Sequence, residues 1–312
     1  MKASGAALTL AAALLAGCAS APPQLQRLNA DWPAALPPRV ELTEAPFFAQ
    51  DEHQCGPAAL AMLLQAAGVA VTPAQLLPAV YLPGRQGSLQ QELLAATRRH
   101  GLPAYRLAPQ LDALLRELAA GHPVLVFQNL SLPVYPVWHY ALAIGYDRAR
   151  GSLILHSGRE ARSEISLAAF ERTWARAGHW ALLALPPEQL PATAGPAAAT
   201  ESLAALERLD AAAARRGYAA ALGRWPAEPL LLLGAGNSAH AGGDLEAAEA
   251  AYRAAVQARP GLADGWNNLA QVLIELGRPD EARAAIEHAL ALGGPRQAAY
   301  RELARRLPRP AG

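Results

Sequence analysis

Apolar positions along the chain follow two periods in turn. Residues 58–67 hold an almost unbroken apolar run, with Pro57 at its first turn and Gly68 behind it. Proline loses nothing at a helix start, where its missing N–H would have no partner, and glycine suits the C-cap, so the run predicts a buried helix. Thr72-Pro73 predicts the start of a second helix. Ser88-x-x-Gln91 resembles a capping box that opens a third, ending near His100 and closed by Gly101, and residues 109–120 read as a fourth, closed by Gly121. The period then shortens. Residues 123–127, 140–146 and 152–155 are short apolar runs that predict strands, the last two joined by a hairpin over 147–151. Residues 166–177 predict a helix and 179–185 a last strand, while 40–48 predict a strand that leads to Gln50. Helices first and an antiparallel sheet second is an α+β order.

From residue 201 the helical period returns with a repeat. Ala214, Ala248 and Ala282 fall at an interval of 34 residues, as do Tyr218, Tyr252 and Ile286, and then Ala221, Ala255 and Ala289. Pro226 and Pro260 close two units, and Gly294 holds the third place. Small residues where helices cross, with a bulky one beside them, are what stacked helix pairs require. Trp266, Leu269 and Gly277 supply first-helix positions of one unit, and residues 295–307 read as an Arg-bearing cap. The pattern predicts an all-α tetratricopeptide repeat domain over 201–308, joined by a Pro- and Ala-rich linker at 187–200.

The chain has 312 residues, enough for two cores, with 52% hydrophobic and 17% charged residues and a net charge of +1. That balance gives no footprint for nucleic acid. Lys2 and the apolar stretch 6–16 have the shape of a signal peptide, too short to span a bilayer as a helix. It ends in Leu15-Ala16-Gly17-Cys18, which resembles a lipobox. Residues 1–18 are therefore expected to act as a lipoprotein signal, with Cys18 lipidated and residues 19–38 serving as a tether. Ala19 after the cysteine resembles the sorting pattern for the outer membrane, facing the periplasm of a bacterial envelope. Cys55 is then a lone cysteine outside the cytoplasm, either inert or kept for its reactivity.

Gln50-Asp51-Glu52-His53-Gln54-Cys55-Gly56-Pro57 puts that thiol at a helix N-terminus, where the local potential favours a thiolate. His139, at the start of a strand-like run, can serve as its base, and Gln50 can supply an oxyanion donor beside the Cys55 amide. Each has a bland alternative: Cys55 as a small core residue, His139 as a strand-edge histidine, Gln50 as a surface amide. The set Gln50, Cys55, Gly56-Pro57 and His139 favours catalysis, since the bland readings leave the spacing unexplained. His53 and Gln54 have only proximity to commend them. Neither paired metal-ligand spacing nor a phosphate-binding loop is present, and no cofactor is implied.

Gln-x4-Cys-Gly-Pro-Ala-Ala-Leu-Ala-Met followed by His-Tyr-Ala-Leu-Ala-Ile-Gly-Tyr resembles the bacteriocin-processing (double-glycine leader) cysteine peptidases, in particular the stand-alone lipoprotein branch with C-terminal tetratricopeptide repeats. The resemblance implies a papain-like domain over 39–186, with Cys55 as nucleophile, His139 as general base and Gln50 in the oxyanion hole. Relatives place a carboxylate after the next strand to orient the histidine. Ser157 holds that place here, with Asp147 and Glu164 the carboxylates within range by sequence. The expected activity is hydrolysis of peptide bonds in a peptide or protein substrate, with the repeats binding a protein or peptide and the lipid anchor holding the chain at a membrane. The rival expectation is a catalytically inactive peptidase-like lipoprotein that acts as a protein-binding scaffold.

Overall fold

The structure is a computed structural model and describes residues 21–50 and 53–307. The signal segment, Cys18 and residues 19–20 lie outside the described residues. No helix among the described residues is long and apolar enough to cross a membrane.

The N-terminal domain holds α1 (Pro23–Ala30), β1 (Arg39–Glu41), α2 (Cys55–Ala66), α3 (Pro73–Val80), α4 (Gln90–Arg99), β2 (Ala104–Arg106), α5 (Leu111–Ala119), β3 (Val124–Asn129), β4 (Trp138–Asp147), β5 (Ser152–Ser157), β6 (Glu160–Ser166), α6 (Leu167–Ala175) and β7 (Ala181–Ala184). The strands form one antiparallel sheet in the order β2-β7-β3-β4-β5-β6, with β1 also on β4. β3 pairs with residues 138–143 of β4, and β1 pairs with residues 145–147. Because β5 occupies the opposite edge over 142–147, β1 continues the edge that β3 leaves. At Gly145 a β-carbon would run into the Val40 carbonyl, so glycine there lets β1 come close.

Both faces of the sheet are covered. Leu125 and Phe127 of β3, with Tyr140, Leu142 and Ile144 of β4, pack against α2, α3 and α4. Val124, Val126, Ala141 and Ala143 alternate to the other face and pack against α1, α5 and α6. That double burial explains why the strands read as continuous apolar runs with no polar alternation. α2 is buried from Gly56 to Leu64, as a helix apolar on every side must be.

Two expectations are corrected here. The described part of the 19–38 tether is no extended spacer: α1 docks by burying Leu25 and Leu28, Leu36 is buried behind it, and all three join the core on the α5/α6 face. Leucines spaced at i and i+3 on a helix turn give the segment an apolar stripe, which a tether would have to expose. The capping box also falls elsewhere. Thr72 and Gln75 form one at α3, whereas α4 starts after Leu89 without a side-chain cap and Ser88 is used at the cleft described below.

The C-terminal helices are α7 (Pro196–Glu207), α8 (Ala211–Arg224), α9 (Pro229–Ala241), α10 (Leu245–Ala258), α11 (Ala263–Glu275), α12 (Pro279–Leu292) and α13 (Gln297–Arg306). All nine register positions from Ala214 to Ala289 are buried. Gly234 and Gly236 of α9 leave no room for a β-carbon against the rings of Tyr218 and Tyr252, so the helices cross closely there. The linker is fastened to the first domain by Glu117 of α5. Its carboxylate is fully buried and accepts from the backbone N–H groups of Ala192 (3.1 Å) and Thr193 (2.7 Å), with His122 at 2.8 Å. Burial pushes that carboxyl up, but the combined hydrogen bonds from His122, Thr193 and Ala192 leave it below its ordinary value.

Replacing Glu117 with Ala strands these buried donors, which should lower unfolding free energy by about 2–3 kcal/mol in a urea titration. An unchanged midpoint would show that the linker is held by other contacts.

Candidate active site

The site lies at the open end of the sheet, where β4 and β5 part. β5 pairs with β4 no further toward that end than Leu142, opposite His156. Alternate residues of an antiparallel strand direct their N–H and C=O to the same edge. Tyr140, two residues before Leu142, therefore presents both groups toward the place β5 has vacated. Buried backbone groups need partners, and Tyr140 finds them outside the sheet. Its carbonyl accepts from the Gln50 Nε2 at 3.3 Å, and its N–H points to the Cys55 sulfur. Gln50 is a wedge between the strands: its Oε1 accepts from the Gly158 N–H at 3.1 Å, and its own N–H donates to the Gly158 carbonyl at 2.9 Å. Gly158 sits at φ +60, a left-handed turn that suits glycine and takes the chain away from β4.

Cys55 is the first residue of α2. The preceding Gln54 makes no side-chain cap, and Pro57 has no N–H. The N–H groups of Cys55 and Gly56 thus remain for the site, as the orphan donors of any helix start do. With the N–H of Tyr140 they are three backbone donors around the sulfur. Gly56 is required for fit, because a β-carbon there would strike the Ser88 side chain. Ser88 takes the Tyr140 hydroxyl on its carbonyl, and its own buried hydroxyl has no protein partner among the described residues.

His139 stands opposite Gln128 of β3, whose side chain is held by Thr173 of α6 at 2.6 Å. The His139 Nε2 lies 2.8 Å from the Ser157 Oγ. When Nε2 carries the proton it donates to that oxygen, and Nδ1 is then the basic nitrogen. Pleat alternation puts His139 on the face opposite Tyr140, yet it and Cys55 line one cleft of about 910 Å³ with Gln50, because both stand at the sheet's open end. Phe127 stacks on Trp138 and on Tyr140, at centroid distances of 5.1 and 4.5 Å, and forms an aromatic wall. Arg85 and Arg176 reach the same cleft.

The electrostatics differ from the sequence expectation of an acidic thiol. Burial pushes the Cys55 thiol above its ordinary value, and the N–H groups of Tyr140, Gly56 and Cys55 only partly oppose it. Burial also pulls the His139 imidazole below its ordinary value. These directions favour a neutral thiol and a neutral imidazole at neutral pH on the one cleft that both side chains line. Desolvation disfavours both members of an ion pair, and Ser157 brings no negative charge to hold an imidazolium.

Of the other titratable groups considered from sequence, Asp147 ends β4 away from the cleft, accepts from the Arg150 N–H and lies 3.8 Å from Arg39. Glu164 pairs with Arg150. His156 turns to the opposite face, its Nε2 3.1 Å from the Ala45 carbonyl. His53 lines the cleft in a left-handed conformation, φ +62. Sequence reasoning missed the backbone of Tyr140, Ser88, the aromatic wall and both cleft arginines. The adjacent Tyr140 was visible as a motif letter, but its role comes from an unpaired strand edge that no residue type announces.

The helical domain has a groove of its own, about 440 Å³, lined by Asn237, His240, Tyr252, Asn268 and Gln271 among others. Asn237 accepts from both Tyr252 (3.0 Å) and Asn268 (2.9 Å).

Residues 42–182 match the Peptidase_C39 like family, and residues 239–307 match the tetratricopeptide repeat family TPR_19. The sheet domain resembles a C39-like peptidase, and the helical domain is of the tetratricopeptide type. Among solved structures, the chain is similar to a protein from Bacillus anthracis described as a C39-like peptidase, at 19% identity and TM-score 0.40, over 47% of this chain and 97% of that one. It is also similar to a mutant O-GlcNAc transferase of Thermobaculum terrenum, at 28% identity and TM-score 0.29, over 32% of this chain and 20% of that one. No curated protein matches.

A neutral resting pair has a kinetic signature. The alkylation rate of Cys55 by iodoacetamide should be slow at pH 7 and still climb as pH rises beyond the ordinary thiol range, since only the thiolate reacts. A rate that levels off by pH 7 would mean a preformed thiolate. Gln50→Ala should lower any turnover about 100-fold, as the loss of an oxyanion donor does, and should also cost about 1–3 kcal/mol of stability by unpairing Tyr140 and Gly158. Calorimetry beside a peptide assay measures both.

Proposed function

Starting from a chain whose first domain resembles the C39-like peptidases and whose second is built of tetratricopeptide repeats, we propose that it is a cysteine peptidase tethered to the bacterial envelope through Cys18. The observation that carries this reading is the gathering of Cys55, His139 and Gln50 on one cleft, with three backbone N–H groups at the sulfur.

In this reading the substrate triggers the chemistry. A peptide carbonyl enters beside Cys55 and displaces water. The thiol proton passes to the Nδ1 of His139 as the sulfur attacks the carbonyl carbon, and the Ser157 oxygen accepts from the Nε2–H throughout. The negative oxygen is held by the Cys55 N–H and the second N–H of the Gln50 amide. The imidazolium then gives its proton to the departing amine nitrogen as the C–N bond breaks, leaving a thioester. Water, deprotonated by the same imidazole, attacks the thioester carbon and frees the acid and the thiol. A dipole in place of a carboxylate lets the ring turn correctly but gives little stabilisation to the cation, so a slow, selective enzyme is expected. The amide-lined groove of the repeats can hold an extended peptide by its backbone, which would bring a substrate or a partner protein to the cleft.

The raised thiol and Ser157 favour one rival, an inactive domain used as a scaffold. Two comparisons separate them. Wild type should cleave members of a peptide library and be labelled at Cys55 by a thiol probe, while Cys55→Ala and His139→Ala lose cleavage by at least about 1000-fold. Ser157→Asp should raise His139 basicity and increase turnover. If wild type and Ser157→Asp are both without hydrolytic activity, the peptidase reading fails and the scaffold stands.

A further inference from the structure

Six of the eight large apolar side chains exposed among the described residues lie together: Leu130, Leu132, Val134, Tyr135 and Val137 in the connection between β3 and β4, and Trp138 at the first position of β4. Val134 and Tyr135 are more than three-quarters exposed at the tip of the loop. No charged residue occurs from 130 to 138. The loop is an ordered feature, since the Asn129 Oδ1 accepts from the N–H groups of Ser131 and Val137, both at 3.0 Å, and Leu132 bridges to Tyr135. A compact, uncharged patch of aliphatic, Tyr and Trp side chains on a soluble surface calls for a partner.

The chain's own N-terminus limits what that partner can be. Gln24, at the start of α1, lies 3.2 Å from the His179 Nε2 and donates to the Pro109 carbonyl. Three residues before His179, Arg176 grips the Asn129 carbonyl at the base of the loop through both Nε and Nη2, and Trp180 accepts from the Phe127 N–H. α1 therefore begins on the segment that braces the loop. From Cys18 to Gln24 is six residues, which span at most about 22 Å fully extended. Resting on the anchor reading above, this short reach holds the loop's end of the domain against whatever surface Cys18 enters.

We propose that the 130–138 loop dips into the lipid surface, a second, non-covalent contact that sets the cleft at the membrane. Tyr135 and Trp138 suit the interfacial layer, where an apolar body and a polar tip are both accommodated, and Leu132 and Val134 suit the acyl boundary beneath it. A single lipid attachment leaves a domain free to tumble, and a second contact fixes its orientation. Because Val137 and Trp138 belong both to this patch and to the cleft wall, docking would place Cys55 beside the bilayer, where it would meet chains that emerge from the membrane.

The test uses the full-length lipoprotein reconstituted in vesicles of phosphatidylethanolamine and phosphatidylglycerol. A fluorophore is placed at Val134→Cys, or at Leu209→Cys as an exposed control in the helical domain, each in a Cys55→Ser background. Brominated acyl chains should quench the probe at 134 several-fold more than the probe at 209, and aqueous iodide should show the reverse order. Adding Leu132→Ser and Tyr135→Ser should bring the lipid quenching at 134 down to the control level. Equal iodide access at 134 and 209 on acylated, vesicle-bound chain overturns the inference, as does crosslinking between copies at 134 without lipid quenching. Mass analysis of Cys18 in the same sample reads the anchor separately. An unmodified Cys18 would defeat the anchor reading, while quenching at 134 would still support the lipid contact.

Discussion

The backbone of Tyr140 is the constraint on which the site depends. A strand that loses its neighbour in a dry interior must give its N–H and C=O to something. β4 loses β5 just past Leu142, and the vacated edge is filled from two other parts of the chain. Gln50 enters as a side-chain amide that joins Tyr140 to Gly158, and the start of α2 enters with its sulfur toward the Tyr140 N–H. Cys55 and Gln50 are thus placed by the same unfilled hydrogen-bonding edge. His139 is next to it in sequence, and Ser157, just before the Gly158 turn, meets its ring.

This construction sets the chemistry as much as the geometry. The helix start and three N–H groups favour a thiolate, yet burial disfavours the charged form of both the Cys55 sulfur and the His139 imidazole. Burial wins in the resting state.

The second domain is joined to the first through the linker, which donates to the buried Glu117 on one side, while the exposed Arg224 donates to the Pro191 carbonyl at 3.0 Å on the other. Both α1 and the linker attach at α5, α1 through Gln24 at the start of that helix and the linker through Glu117 near its end.

How much of this was legible beforehand follows from the range of the forces involved. The repeat register of Ala214, Tyr218 and Ala221 with their successors could be read from the sequence, because each repeat contacts its neighbours at a fixed spacing. So could α2, since a wholly apolar run behind a proline has few other solutions, and with it the place of Cys55 at a helix start. The docking of α1 is hidden from the sequence because a stripe of Leu25 and Leu28 is short and its receiving surface, on α5 and α6, is supplied some ninety residues and more away. Ser88 fits the local pattern of a cap, while Tyr140 and Gly56 claim it from a distance. The parting of β4 and β5, the wedge role of Gln50 and the balance between dipoles and burial at Cys55 came only with the tertiary structure, since each is a competition for hydrogen bonds or water among segments remote in the chain, which spacing along a sequence does not record.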